Sequence, residues 1–231
     1  MISRFYDIKS GQILIDGNDI KDVQIDSLRT QMGIMTQDNY IFSGTIRENI
    51  MYGKLDASEE EMIAASKAVH AHDFICKLEK GYDTPLTARG GELSNGQRQL
   101  VAFARTMLSN PRILILDEAI SMLDPISRED ILQFVKRWQK YGNTIIHITH
   151  DIEVVKQADN VIAMENGKLF FYGKSSAFLK DKENVFRLNG QELEKTEKTL
   201  WNKKEKSVSL KFDNVCFNYN DKSFVKNISF E

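Results

Sequence analysis

Two adjacent carboxylates, Asp117 and Glu118, follow the apolar run Arg112-Ile113-Leu114-Ile115-Leu116. A carboxylate pair of this kind can hold a hydrated Mg²⁺ and polarise a water. A second run, Asn143-Thr144-Ile145-Ile146-His147-Ile148-Thr149, stops at His150, and a third, Met32-Gly33-Ile34-Met35-Thr36, stops at Gln37. Apolar runs without alternation suit strands covered on both faces, and ligands of open α/β sheets sit beyond the carboxyl ends of such strands. Gln37, Asp117, Glu118 and His150 are therefore expected to line one crevice. A separate stretch, Leu93-Ser94-Asn95-Gly96-Gln97-Arg98-Gln99, opens an amphipathic helix in which Ser94 and Gln97 have capping-box spacing. The free N–H groups of a helix start, beside a glycine that lets a ligand approach the backbone, make a place for an anion.

The elements that must carry these groups follow from periodicity. Short β-branched or Leu-rich runs alternate with longer amphipathic stretches, the pattern of a mixed α/β domain with a largely parallel sheet. Residues 11–17 and 161–170 read as antiparallel strands, the second turning at Asn166-Gly167. The spacing of Met62, Ile63, Ala65, Ala68, Val69, Phe74 and Ile75 predicts a helix between Glu59 and Leu78, and another runs from Gln97 to Leu108. Residues from about 38 to 108 thus form a helical insert in the α/β body. From Lys180 to Ser207 half of the residues are charged, against 28% for the whole chain, so this stretch reads as a solvated tether or an exposed helix. Val208 to Tyr219 alternates like a half-buried strand, a second apolar run covers Phe224 to Phe230, and the chain stops in mid-strand at Glu231, as expected of a truncated domain.

Composition bounds the possibilities. A chain of 231 residues, 42% hydrophobic and with a net charge of −2, is globular and gives no electrostatic case for nucleic acid or an anionic membrane as partner. The longest apolar runs, such as Ile113–Leu116 and Val161–Met164, fall far short of the roughly twenty residues that span a bilayer. Two cysteines, Cys76 and Cys216, make no disulfide framework or metal cluster and are expected to be buried thiols in a reducing cytoplasm.

Together these motifs resemble the nucleotide-binding domain of ATP-binding cassette (ABC) transporters over nearly the whole chain. Leu93 to Gln99 is similar to the family's signature motif, Ile113 to Glu118 to its Walker B strand, and Ser121-Met122-Leu123-Asp124 to its D-loop. Gln37 matches the Q-loop and His150 the switch histidine, all in the family's order. The resemblance implies a P-loop-NTPase-like α/β fold: a mostly parallel sheet with a helical insert and a small antiparallel β part. It implies ATP and Mg²⁺ as ligands. Asp117 would hold the metal through water, Glu118 would act as general base, and His150 would contact the γ-phosphate. Gln37 would link the metal site to the membrane subunit. Ser94, Asn95, Gly96, Gln97 and Asp124 would face the ATP of a partner cassette. The implied partners are a transmembrane permease domain and a second nucleotide-binding domain, and the implied place is the cytoplasmic face of the cell membrane.

Four features depart from the family pattern. No Gly-x4-Gly-Lys-Ser/Thr phosphate loop occurs. The nearest stretch, Gly167 to Ser175, has five residues between its glycines, and their Leu-Phe-Phe-Tyr core belongs in a strand, so it is rejected. Asn95 stands where the signature usually has glycine, and Ala88 where exporters usually carry glutamate. Met1 to Ser10 resembles the piece that follows a P-loop helix, and Val208 to Glu231 the piece that precedes a P-loop, with Tyr219 placed like the aromatic that stacks on adenine. The expected organisation is a nucleotide-binding domain lacking its P-loop at 1–180, a charged linker at 181–207, and the start of a second nucleotide-binding domain at 208–231. A fragment of a tandem protein is favoured over a circular permutant, which would still need the phosphate loop, and the chain alone is expected to be inactive. Asp19 to Tyr82 is similar to multidrug and lipid exporters, whereas Ser121 to Leu179 is more similar to importer ATPases of the energy-coupling-factor kind.

The function expected is that of an ATP-hydrolysing motor domain of a transporter. The alternatives are a soluble tandem-cassette ATPase acting on ribosomes and a non-hydrolysing regulatory cassette. Chromosome-maintenance ATPases would need a very long coiled coil between Gln37 and Ser94, where only 56 residues lie.

Overall fold

The computed structural model describes residues 2–8, 11–37 and 39–188, and the backbone of 212–219 and 222–230. Two compact units result, 1–181 and 182–231. The first opens with a tight hairpin, β1 (Leu14–Ile15) and β2 (Asn18–Asp19), whose turn residues Asp16 and Gly17 both have positive φ, the requirement of a two-residue hairpin loop. Helix α1 (Ile25–Thr30) leads into β3 (Met32–Met35). Then come β4 (Gly44–Thr45), α2 (Ile46–Met51), α3 (Glu59–Ala68), α4 (His72–Ile75), a short 3₁₀ turn, β5 (Pro85–Leu86) and α5 (Asn95–Leu108). The remainder of the unit is β6 (Ile113–Asp117), α6 (Pro125–Lys140), β7 (Thr144–Ile148), α7 (Ile152–Gln157), β8 (Asn160–Glu165), β9 (Lys168–Lys174) and α8 (Ser175–Lys180).

The three apolar runs become one parallel sheet in the order β3-β6-β7, with Met35 beside Leu116, Leu116 beside His147 and Asp117 beside Ile148. Their carboxyl ends share one edge. Helix α5 lies so close to β3 that a Cβ on Gly33 would come within 2.6 Å of Thr106 Cγ2 and 2.8 Å of Pro111 Cγ. The insert and the sheet share a single apolar core: Ile46, Ile50, Met62, Val69 and Ile75 from one, Leu114, Leu116 and Met35 from the other, joined by Val101, Phe103 and Ala104 of α5. A movement of α5 is therefore felt by both. A smaller core of Ile20, Leu28 and Met32 seals the first hairpin.

Several expectations are corrected. The helix foreseen from Glu59 to Leu78 is two helices. Ser58 and Glu61 form a capping box at the start of α3, but His70 adopts φ 60° and Ala71 N–H returns to Ser66 O at 2.8 Å, a C-terminal closure that ends the helix. Cys76, foreseen as buried, is exposed: α4 turns Ile75 wholly inward, and the residue after it points out. Helix α5 begins at Asn95, two residues ahead of the expected start, because Ser94 is its N-cap.

Asn166 and Gly167, φ 49° and 74°, turn the hairpin of β8 and β9 as their types require. The interior of the rejected Gly167–Ser175 stretch lies in β9, paired with β8.

In the second unit, residues 182–188 form a short helix, α9 (Lys182–Leu188), and β10 (Phe212–Tyr219) pairs antiparallel with β11 (Lys222–Phe230). Residues 189–211, most of the charged linker foreseen, and the side chains of Cys216 and Tyr219 lie outside the described residues.

Candidate functional site

The edge where β6 and β7 end is built by local chemistry. Glu118 sits at φ 49°, a left-handed conformation that costs a non-glycine residue roughly 1 kcal/mol or more. Three hydrogen bonds hold it there. Its N–H donates to Ile148 O at 3.0 Å, and its own carbonyl accepts Ser121 N–H at 3.1 Å and Ser121 Oγ–H at 2.8 Å. The carboxylate then meets His150, with Glu118 Oε1 3.1 Å from His150 Nδ1. The pair is open to solvent, its side chains 32% and 71% exposed, so it contributes little to stability and is accessible to a ligand. Asp117, the last residue of β6, pairs in register with Ile148.

The loop that carries His150 is fixed from behind. Thr149 Oγ1 accepts Asp151 N–H at 3.0 Å, Asp151 caps α7 by accepting Glu153 N–H at 2.8 Å, and Arg128 of α6 pairs with the Asp151 carboxylate. Asp124 caps α6, accepting Ile126 and Ser127 N–H at 3.1 Å each, and its bonds with Ser127 hold its carboxyl below the usual carboxylate range. Its carboxylate therefore serves the fold as a cap, whatever it meets beyond. Three residues ahead of His150, His147 is mostly buried, with its Nε2 unpartnered among the described residues. Burial, then the nearby Arg128 guanidinium, pushes it down to about 4.

At the second locus, Ser94 Oγ accepts Gln97 N–H at 3.2 Å and Gln97 Oε1 accepts Ser94 N–H at 3.0 Å, a closed capping box. Asn95 Oδ1 accepts from Arg98, and a Cβ placed on Gly96 would make ordinary contact, 3.7 Å, with Leu123 Cδ2 and Met122 O. Gln37 does share the sheet edge with Glu118, as expected, but it faces a different neighbourhood. With Tyr40, Arg89, Asn95, Gln99 and Met122 it lines a cleft of about 470 Å³. The structure thus brings Glu118 and His150 into contact, and Gln37 and Asn95 into one cleft. The sequence pattern did not single out Asn49, 1% exposed in α2, or Arg105, which bonds it across the chain. A charged residue among Val101, Phe103, Ala104 and Leu108 was the available signal.

The family model described as ABC transporter matches residues 1–121, just over half of the chain. The chain belongs to the ABC transporter family. That match includes Gln37, Ser94 to Gln97, Asp117 and Glu118, and ends before Asp124 and His150. An uncharacterized ABC transporter ATP-binding protein of Bacillus subtilis is 43% identical over 79% of this chain and 30% of its own length. The ATP-dependent lipid A-core flippase of Syntrophus aciditrophicus is 42% identical over 82% of this chain and 31% of its own. The ABC chain accordingly spans about a third of the curated relatives it matches. Among solved structures, a bacterial Atm1-family ABC exporter with ATP bound superposes with a TM-score of 0.77 at 39% identity, covering 81% of this chain and 33% of that one. The fold is thereby the mixed α/β fold of a part of an ABC exporter. No helix among the described residues is long and apolar enough to cross a membrane.

Proposed function

We propose that this chain is the ATP-binding, ATP-hydrolysing part of an ABC transporter, working against a transmembrane permease domain and a second nucleotide-binding domain at the cytoplasmic face of the membrane. The observation that carries the reading is the Glu118–His150 contact, 3.1 Å, at the ends of two adjacent parallel strands with Asp117 beside it. The donor set suits Mg²⁺, which takes oxygen ligands and keeps several waters. Among the described residues no three His, Cys, Asp or Glu side chains converge, so Asp117 would hold the ion through water and the other oxygens would come from water and phosphate. Bound Mg²⁺ would neutralise charge on the phosphates. Glu118 would accept the proton of the attacking water, and His150 would keep the Glu118 carboxylate aimed and reach the γ-phosphate. Gln37 would link the metal site to the permease. Ser94, Asn95, Gly96 and Gln97, with Asp124, contact the nucleotide of the partner cassette, and Tyr219 would stack on adenine in a following one.

The names of the relatives, a flippase and an exporter, favour transport over action on ribosomes. The test is Glu118→Gln in a full-length protein that carries this chain together with a phosphate-binding loop. ATP binding should persist while turnover falls by about 10²–10⁴-fold, the usual contribution of a general base. Wild-type turnover in that variant would remove Glu118 from the reaction.

A further inference from the structure

Helix α5 carries two arginines seven residues apart, hence two turns apart on one face, and each donates to two main-chain carbonyls and one asparagine side chain. Arg105 donates from Nε to Asn49 O at 2.7 Å, from Nη2 to Asn49 Oδ1 at 2.8 Å and from Nη1 to Tyr40 O at 2.8 Å. Its guanidinium also lies 4.9 Å from the centre of the Phe42 ring. Asn49 continues the network, accepting Phe42 N–H and donating to Phe42 O and Thr45 O, each at 2.9 Å. One half-buried cation therefore ties both ends of the segment between Tyr40 and Asn49. Burial lowers the pKa of Arg105, which remains charged because arginine begins so high.

Arg98 makes the second tie, near the start of the same helix. It donates to Gly90 O at 3.2 Å and Leu93 O at 2.9 Å, while Arg89 N–H donates to Ile41 O at 3.0 Å. Gly90 packs so tightly that a Cβ there would stand 3.0 Å from Ile41 Cγ2. The segment that follows Gln37 is thus fastened to α5 at two levels, by Arg105 directly and by Arg98 through residues 89–93. Above this network three aromatic rings, Tyr40, Phe42 and Tyr52, form an exposed chain with centroids 5.1 and 4.8 Å apart.

We propose that Arg105 is a positioning residue: it locks the Tyr40–Asn49 segment to the helix that opens at Ser94, so that a displacement received at Tyr40, Phe42 and Tyr52 is delivered to the Ser94–Gln97 turn. The rigid tie stands on the hydrogen bonds alone, and its consequence for the nucleotide rests on the function proposed above. A lysine cannot replace the fork, since its three donors share one nitrogen whereas the three acceptors are met by three separate guanidinium nitrogens.

Hydrogen exchange of the 231-residue chain, read by mass spectrometry, tests the tie without any ATP turnover, so a failure of the ATPase reading would not alter the result. In Arg105→Ala, amides of residues 41–49 should exchange about ten-fold faster or more, the factor carried by one lost charge-assisted hydrogen bond. Peptides covering 94–100 should quicken with them, while β6 and β7 stay as in the wild type. Arg105→Lys should show the same two regions loosened to a smaller extent. Faster exchange confined to 41–49, with 94–100 unchanged, would reduce Arg105 to a local brace and overturn the proposal, as would no change in either. If Arg105→Ala loosens β6 and β7 as well, the same two regions in Arg105→Lys decide the matter by the same criteria.

Discussion

Acid should weaken this fold in part through His147. Its ordinary pKa is 6.5, and inside the sheet it is pushed down to about 4, chiefly by burial and then by the Arg128 guanidinium. Above pH 6.5 the ring is neutral in both folded and unfolded chains and contributes no pH dependence. As the pH falls from 6.5 towards 4 the unfolded chain takes up a proton that the folded chain refuses, so the unfolded state gains and stability drops. Below about 4 both states are charged and the loss levels off. At pH 5 the linkage relation gives about 2 kcal/mol lost relative to pH 8. His147→Leu removes the titration at similar volume, and because Nε2 has no partner among the described residues it deletes no hydrogen bond of that atom. Urea denaturation at pH 8 and pH 5 should therefore show the variant losing about 2 kcal/mol less than the wild type over that interval. Proton NMR of the His147 ring gives the folded-state pKa directly. A difference below about 0.5 kcal/mol, the usual additivity error, together with a ring that titrates near 6.5, would refute the argument.

Gly53→Ala should destabilise the chain by about 1–3 kcal/mol, the usual range for overpacking, because the new Cβ would fall 2.0 Å from Arg105 O, a backbone atom that cannot step aside alone. A thermal melt that matches the wild type would show that α2 and α5 separate more easily than their packing suggests. Calorimetry of Mg-ATP against the chain itself should give no tight binding: triphosphate affinity in P-loop enzymes comes mainly from a cradle of N–H groups and one lysine, and Asp117 and Glu118 without it repel the phosphates. Micromolar binding would mean that another loop serves as the phosphate site.

Element types were largely legible before the structure because they depend on near neighbours. Uninterrupted apolar runs marked β3, β6 and β7, Asn166-Gly167 marked its hairpin, and Ser94 with Gln97 marked a helix start, each a pattern complete within ten residues or fewer. The end of α3 was local too, yet unreadable, since a left-handed closure at His70 carries none of the glycine that usually announces one.

What tertiary structure decided was which distant groups meet. Glu118 and His150 could be named from strand ends, but their contact follows from β6 lying beside β7 in a particular register, across 32 residues of chain. Gln37 shares that sheet edge, yet the lie of α5 turns it towards Asn95 and Gln99. Arg105 and Asn49 stand 56 residues apart, and each by itself looks like a misplaced polar residue on an apolar helix. Their pairing became visible only when α2 packed against α5. Residue type and spacing thus determined the elements and the chemistry available at their ends. The buried hydrogen bonds that fix one element against another needed the packed core, because a polar group in a core is satisfied by whatever the packing brings to it, and no sequence pattern records that partner.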